Sequence, residues 1–447
     1  MESVLTRKTI ATYAIGSLGT GGFATLPGLV LVIYMTDTLG IAALAAGILV
    51  TVAKVWDVII DPVIGARSDR SLALRGSRRP FMILGALALP VFFILTFAVP
   101  AGIGPIASGV WVLLAFLVTA TAFSLFQVPY IALPAELATG YDDRTKLISA
   151  RVVVLTLAIL LFGAGAPEIQ KAFTNPYTGY LVMAVVAGLV IGCGMLVSSF
   201  VAKRGTPTTA ATFSILDNYR TGIAALRRSQ PFRSLLATFL LQGLATGLML
   251  AGAAYLSKWV LGTGVTFLFL SLIAPAIICA PLWAIISRRI GKERAFTIAS
   301  VLFGLAALSM VLLVWFPGMW VYAPVALAGA GYAGMQSLPM SMLPDVISHD
   351  ADRHGIGNAG TFGGVWTAGE TTGMALGSTV LTIVLAASGY LEAVAGQVVV
   401  QPPTAITGII LSFSIVPAVI IALSLWSFSR YPLRKADIDE LAARTIA

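Results

Sequence analysis

Charged side chains are scarce in this chain: they make up 11% of its 447 residues, too few to cover a water-facing surface of that size. Cysteine occurs twice, at Cys193 and Cys279, and histidine twice, at His349 and His354. Two cysteines in separate apolar stretches exclude a disulfide framework and a thiolate metal centre. They are expected as small buried apolar residues. The two histidines share one loop without an HExxH-type context, so no metal site is expected. A GxxxxGK[ST] phosphate loop and a GxSxG nucleophile elbow are both missing. No polar stretch is long enough for a catalytic domain, so neither an enzyme nor a cofactor is expected. Energy for any work would come from an ion gradient or from the solute itself.

Apolar runs are abundant: 58% of residues are hydrophobic and mean hydropathy is +0.94. Twelve stretches can each cross a hydrocarbon core of about 30 Å as a helix. They lie near 10–36, 42–66, 80–101, 108–133, 147–170, 178–202, 231–257, 263–286, 294–316, 319–344, 359–388 and 404–428. The sequence therefore predicts an all-α membrane protein with twelve transmembrane helices. The first run carries Gly16, Gly19, Gly21 and Gly22 and leads directly into further spans, so it is expected as a retained helix and not a cleaved signal.

The net charge of +9 is not spread as a nucleic-acid surface would be. Of 28 Lys and Arg, 24 lie in the tails and alternate loops; Lys171 and Lys258 are opposite, and Lys54 and Arg151 lie within spans. This positive-inside pattern predicts both termini in the cytoplasm of a plasma (inner) membrane protein. Nucleic-acid binding is not expected; contact with membrane lipid is, and the chain is expected to act as a monomer.

Two segments recur at about half the chain length. Asp61-Pro62 through Asp69-Arg70 aligns with Ala280-Pro281 through Arg288-Arg289, and Gln127, Pro134, Glu136, Asp143 and Arg144 align with Gln336, Pro344, Asp345, Asp352 and Arg353. The duplication predicts a six-helix half over 1–202, a cytoplasmic middle loop over 203–230 with a surface helix near 214–228, a second half over 231–430 and a tail over 431–447. Six-plus-six repeats are the architecture of rocking transporters, with the solute bound between halves.

Within the second span Lys54, Asp57 and Asp61 share one helical face. A charge at mid-bilayer costs about 2.5–3.5 kcal/mol, so such groups persist where they face a cavity or one another. The repeat is asymmetric here: Asp61 aligns with Ala280, so the N-terminal half would do this chemistry alone.

Gly65-x-x-x-Asp69-Arg70, with Arg78-Arg79, resembles the loop signature of the major facilitator superfamily, a gate element in which the carboxylate caps a helix or pairs with arginine. Tyr13-Ala-Ile-Gly16, Tyr34-Met-Thr-Asp37, Lys54-Val-Trp56-Asp57 through Asp61-Pro62, and Val128-Pro129-Tyr130 through Asp142-Asp143-Arg144-Thr145 to Arg151 resemble the glycoside–pentoside–hexuronide:cation symporters. The resemblance implies a cation site at Asp57, Asp61 and Ser124. The family's asparagine position holds Ile60, which offers no oxygen, and this tilts the coupling ion from Na⁺ towards H⁺. For the solute the resemblance implies Arg151, whereas the family's acids are replaced by Gly21 and Gln127 and its lysine falls near Thr371. Two acids and a lysine are thus missing, which argues against melibiose itself.

Each residue also has a plainer reading. Asp57 and Asp61 could form an ion-paired knot with Lys54 and Arg151. Lys54 could compensate charge or touch substrate, and Arg151 could snorkel to the interface. Ser124 could bond its own backbone. Trp366 and Glu370 could frame a ring-shaped solute or make an interhelical contact. Gln242 is expected as helix glue. Asp69, Arg70, Arg144 and Arg353 are assigned to gates. Substrate binding is assigned to Lys54, Gln127, Arg151, Trp366 and Glu370. The expected function is cation-coupled symport of a sugar or glycoside-like solute, the alternative being a lysolipid or other amphiphile carried by the same fold.

Overall fold

The computed structural model describes residues 6–137, 141–202, 226–354 and 359–434. Twelve long helices follow one another in the order read from hydropathy: α1 (Arg7–Asp37), α2 (Ala43–Arg75), α3 (Arg79–Phe97), α4 (Pro105–Leu137), α5 (141–171), α6 (Pro176–Ser199), α7 (Gln230–Leu261), α8 (Val265–Ile290), α9 (Lys292–Val314), α10 (Tyr322–His354), α11 (Ala359–Ala387) and α12 (Pro403–Phe428). Among the described residues, eleven are long and apolar enough to cross a membrane. The remaining helix, α10, is 33 residues long but carries Gln336, Ser337, Ser341 and Asp345 in its second half. The fold is that of a multi-pass integral membrane protein.

Local chemistry sets the helix ends. Asn175 accepts from the Tyr177 N–H and Ser229 from the Phe232 N–H, each just ahead of a proline in the first turn, where a missing N–H costs nothing. Gly76 and Gly262 close α2 and α7 in the left-handed conformation, at φ +66° and +63°. Single π-helical turns widen α1 at Pro27–Leu31, α5 at Leu161–Gly165 and α7 at Leu256–Leu261.

The chain forms two compact units: Met1–Ile215 with Leu391–Val400, and Leu216–Tyr390 with Gln401–Ala447. Residues 391–400, carried between α11 and α12, fold with the N-terminal unit because Ala393 and Ala395 donate backbone hydrogen bonds to Thr36 and Thr38. The surface helix expected near 214–228 lies mostly outside the described residues; 226–228 are helical.

Inside each unit small residues let helices meet. In the C-terminal unit α7 and α11 touch backbone to backbone: a Cβ on Gly373 would lie 2.4 Å from the Leu240 carbonyl oxygen, and one on Gly247 2.2 Å from that of Met374. In the N-terminal unit α2 has two distinct faces. Ile48, Val52, Val55 and Ile59 are each at least 42% exposed, whereas Ala46, Val50, Ala53 and Ile64 are buried. Asp57 and Asp61 are on the buried side, partly shielded. The acids therefore face protein, and the apolar stripe is left for lipid.

Candidate functional site

The acids of α2 are held by two partners. Lys54 Nζ lies 3.1 Å from Asp57 Oδ2, one turn back on the same helix. Ser124, buried on α4, turns its hydroxyl to Asp61. The second oxygen of each acid, Asp57 Oδ1 and Asp61 Oδ1, is buried without a hydrogen-bond partner. Buried polar atoms are nearly always paired, so these two carboxylate oxygens, one helical turn apart, stand out among the described residues. Ile60 adds no donor atom there. Beside the acids, the exposed Trp56 donates from Nε1 to Thr121 Oγ1 at 2.8 Å, tying α2 to α4.

A second group of polar residues joins α1, α4 and α5. Thr20 Oγ1 donates to Gln127 Oε1 at 2.7 Å. The Tyr130 hydroxyl donates to the Tyr13 carbonyl at 3.0 Å and lies 3.0 Å from Ser17 Oγ. Tyr13 and Tyr130 stack with ring centroids 4.8 Å apart. Arg151 lies over the Tyr130 ring, 5.2 Å from its centroid, with the Tyr13 hydroxyl beside it. Its Nε is buried and unpartnered, and among the described residues no carboxylate forms an ion pair with it. Arg151 thus reaches into the unit and does not snorkel outwards. Gly21 occupies a tight contact: a Cβ there would lie 2.7 Å from Ala158 Cβ and 3.0 Å from the Leu155 carbonyl. An acid at this position would force α5 away, which gives its loss a steric basis.

In the C-terminal unit Glu370 on α11 faces Gln336 of α10, whose Nε2 donates to the Tyr332 hydroxyl at 3.2 Å. Trp366 lies in the aromatic core of this unit. It is 3% exposed and stacks on Phe239 with centroids 4.3 Å apart, within a cluster that includes Phe232, Phe296 and Phe362. Its ring packs on α7, and its Nε1 is buried without a hydrogen-bond partner. Gln242 is interhelical glue as read, donating to Ser300 Oγ at 2.9 Å.

The residues assigned to gates from the sequence differ in their surroundings. Asp69 pairs with Arg78, which also donates to Ser68 Oγ at 2.9 Å; Arg70 and Arg353 are exposed. The side chain of Arg144 lies outside the described residues. Sequence reasoning missed two pairs in the C-terminal unit. Lys292 Nζ lies 2.5 Å from Asp345 Oδ2 and bonds the Ser341 carbonyl, and Arg228 pairs with the buried Asp350. The loop charge count could flag these groups, but only packing shows which partner each one takes. Thr20, Tyr332 and the role of Gln336 were likewise missed, because a lone hydroxyl or amide in a span carries no signal of its own.

Solved structures confirm the fold. One determined for substrate recognition in proton-dependent oligopeptide transporters superposes with a TM-score of 0.70 at 15% identity, covering 98% of this chain and all of the other. The nucleoside transporter NupG gives 0.68 at 11% identity, over 95% and 99%. Among sequences, the glucuronide carrier protein homolog of Escherichia coli K12 is 25% identical over 99% of this chain and 96% of its own length. The sodium-dependent lysophosphatidylcholine symporter 1 of Gallus gallus is 26% identical over 94% and 85%. The sequence profile described as MFS/sugar transport protein matches residues 12–435, so this chain belongs to that family, within the glycoside–pentoside–hexuronide symporters of the major facilitator superfamily, and is a transporter, not an enzyme.

Proposed function

We propose that this symporter carries a sugar or glycoside-like solute with H⁺, by alternating access, in a plasma membrane with both termini cytoplasmic. The observation that carries the reading is the pair of vacant, buried oxygens on Asp57 and Asp61 with Ser124 beside them. A proton needs one such oxygen. Sodium needs several oxygens around it, and Ile60 withholds one. The ion neutralises the carboxylate that the Lys54–Asp57 pair leaves uncompensated, and an anionic solute on Arg151 completes the balance, which lowers the cost of reorienting the carrier.

Solute recognition falls to Gln127 and Arg151 in the N-terminal unit and to Glu370 in the C-terminal unit, with Lys54 held as the counter-charge of Asp57. Lys54, Asp57, Asp61 and Arg151 sum to zero charge. A bound cation raises that sum by one, and an anionic sugar seated on Arg151 restores it. A glucuronide, the solute named for the Escherichia coli relative, meets this requirement. The lysophosphatidylcholine symporter relative and the loss of the family's acids at Gly21 and Gln127 support an amphiphile as the second reading.

Proteoliposome uptake of p-nitrophenyl β-D-glucuronide tests the proposal. Uptake is expected under an inward proton gradient, is expected to stop with a protonophore, and is expected to ignore a sodium gradient. Sodium-driven uptake indifferent to the protonophore would refute proton coupling. Uptake of lysophosphatidylcholine in place of the glucuronide would shift the assignment to the amphiphile.

A further inference from the structure

After α11 the chain does not pass straight to α12. Gly389 turns it at φ +75°, and residues 391–400 run along the turn that joins α1 to α2. The Ala393 N–H donates to the Thr36 carbonyl and the Ala395 N–H to the Thr38 carbonyl, both at 2.9 Å, and Leu39 and Val394 form an antiparallel bridge. Gly40 makes room for the strap: at φ +67° it favours glycine, and a Cβ there would lie 2.8 Å from Val394 Cγ2. Gly396 (φ +91°) then folds the strap back, with the Gln397 N–H donating to the Val394 carbonyl at 3.0 Å.

The strap also closes a gap at the start of α2. Ala42 offers that helix no side-chain cap and its first turn holds no acid. The Ala43 N–H donates instead to Glu392 Oε1, at 2.7 Å and 349 residues away in sequence. A carboxylate at a helix N-terminus satisfies a free donor and complements the dipole. The helix capped in this way is the one that bears Asp57 and Asp61. The strap is held by polar bonds and one small apolar notch, and its return limb carries Val398 and Val400 at 96% and 83% exposure. A permanent anchor would be expected to bury those valines.

We propose that residues 391–400 form a releasable clasp on α2, latched by Glu392, that opens and closes once in each transport cycle. The proposal rests on the alternating-access reading and adds to it a device linking α11 and α12 to the helix of the coupling acids.

Hydrogen exchange tests the clasp without any solute. Peptides covering 36–43 and 391–400 are expected to show two interconverting mass populations in the wild type. In Glu392→Ala, exchange at the start of α2 is expected to rise about fivefold, the usual size of a lost helix cap. Glu392→Gln, which keeps the acceptor oxygen, is expected to stay near wild type. A Leu39→Cys/Val394→Cys pair, in a Cys193→Ser/Cys279→Ser background, is expected to form a disulfide that abolishes the open population. The same disulfide should stop proton-driven uptake of p-nitrophenyl β-D-glucuronide until reductant is added. A single protected population in both wild type and Glu392→Ala overturns the clasp, as does an oxidised pair that transports at its reduced rate. If the reduced pair takes up no glucuronide, the solute assignment fails, and the exchange data alone decide the clasp.

Discussion

Replacing Asp61 with asparagine keeps the shape of the side chain and removes one of the two charges at the α2 site. Asp57 and Asp61 are four residues apart, which sets their side chains roughly 6 Å from each other. At an effective dielectric of about 20 their repulsion is about 3 kcal/mol, which a proton on one of them removes. Asp57 is already paired with Lys54 at 3.1 Å, so Asp61 is the acid left to take the proton. An amide cannot take it, and the repulsion that favoured its binding, about 3 kcal/mol, corresponds to about a hundredfold in proton affinity. Asp61→Asn should therefore lose gradient-driven accumulation of p-nitrophenyl β-D-glucuronide while retaining exchange of labelled for unlabelled glucuronide, which needs no net ion movement. The pair of assays separates uncoupling from unfolding. Accumulation at the wild-type level in Asp61→Asn would show that the buried carboxylates do not seat the ion.

Arg151→Lys should keep the charge but lose the planar fork that grips a carboxylate. It is expected to raise the KM for the glucuronide by about thirtyfold, the loss of a charge-assisted pair worth about 2 kcal/mol, and to leave uptake of the uncharged p-nitrophenyl β-D-glucoside unchanged. Gly373→Ala places a methyl 2.4 Å from the Leu240 carbonyl oxygen. With backbone on both sides the clash cannot be relieved by a rotamer, so a destabilisation of about 1–3 kcal/mol is expected as a lower Tm in detergent.

Much of the architecture could be read from the sequence because lipid imposes a simple rule: every backbone group must be bonded within its own helix. Each span from 10–36 to 404–428 consequently reappears as a helix, and the repeat of Asp61-Pro62 at Ala280-Pro281 places α2 and α8 in corresponding positions. The face of α2 that carries Asp57 and Asp61 was legible for the same reason, since charge and exposed isoleucine fall on opposite sides. Trp366 was not. An indole three or four residues from an acid looks the same in sequence whether its ring meets a solute or Phe239, and the neighbour on α7 decides. The Arg228–Asp350 and Lys292–Asp345 pairs were hidden because ion pairing depends on distances that loop counting cannot supply. Glu392 was invisible in a deeper sense: its partner Ala43 is an ordinary alanine, and its backbone N–H has no sequence signature.

The π-helical turns bear on how such a bundle can bend. A single inserted residue rotates everything beyond it by about 100° around the axis, so Pro27–Leu31 and Leu161–Gly165 each divide their helix into two segments with separate facings. Both fall in the N-terminal unit, in α1 and α5, and both lie towards the helix C-terminus. A wide turn has weaker internal bonding than the α-helix on either side and yields first under torque. The final stretch of α1 and of α5 can therefore swivel while the portion before it stays in place, which gives the N-terminal unit two joints of its own.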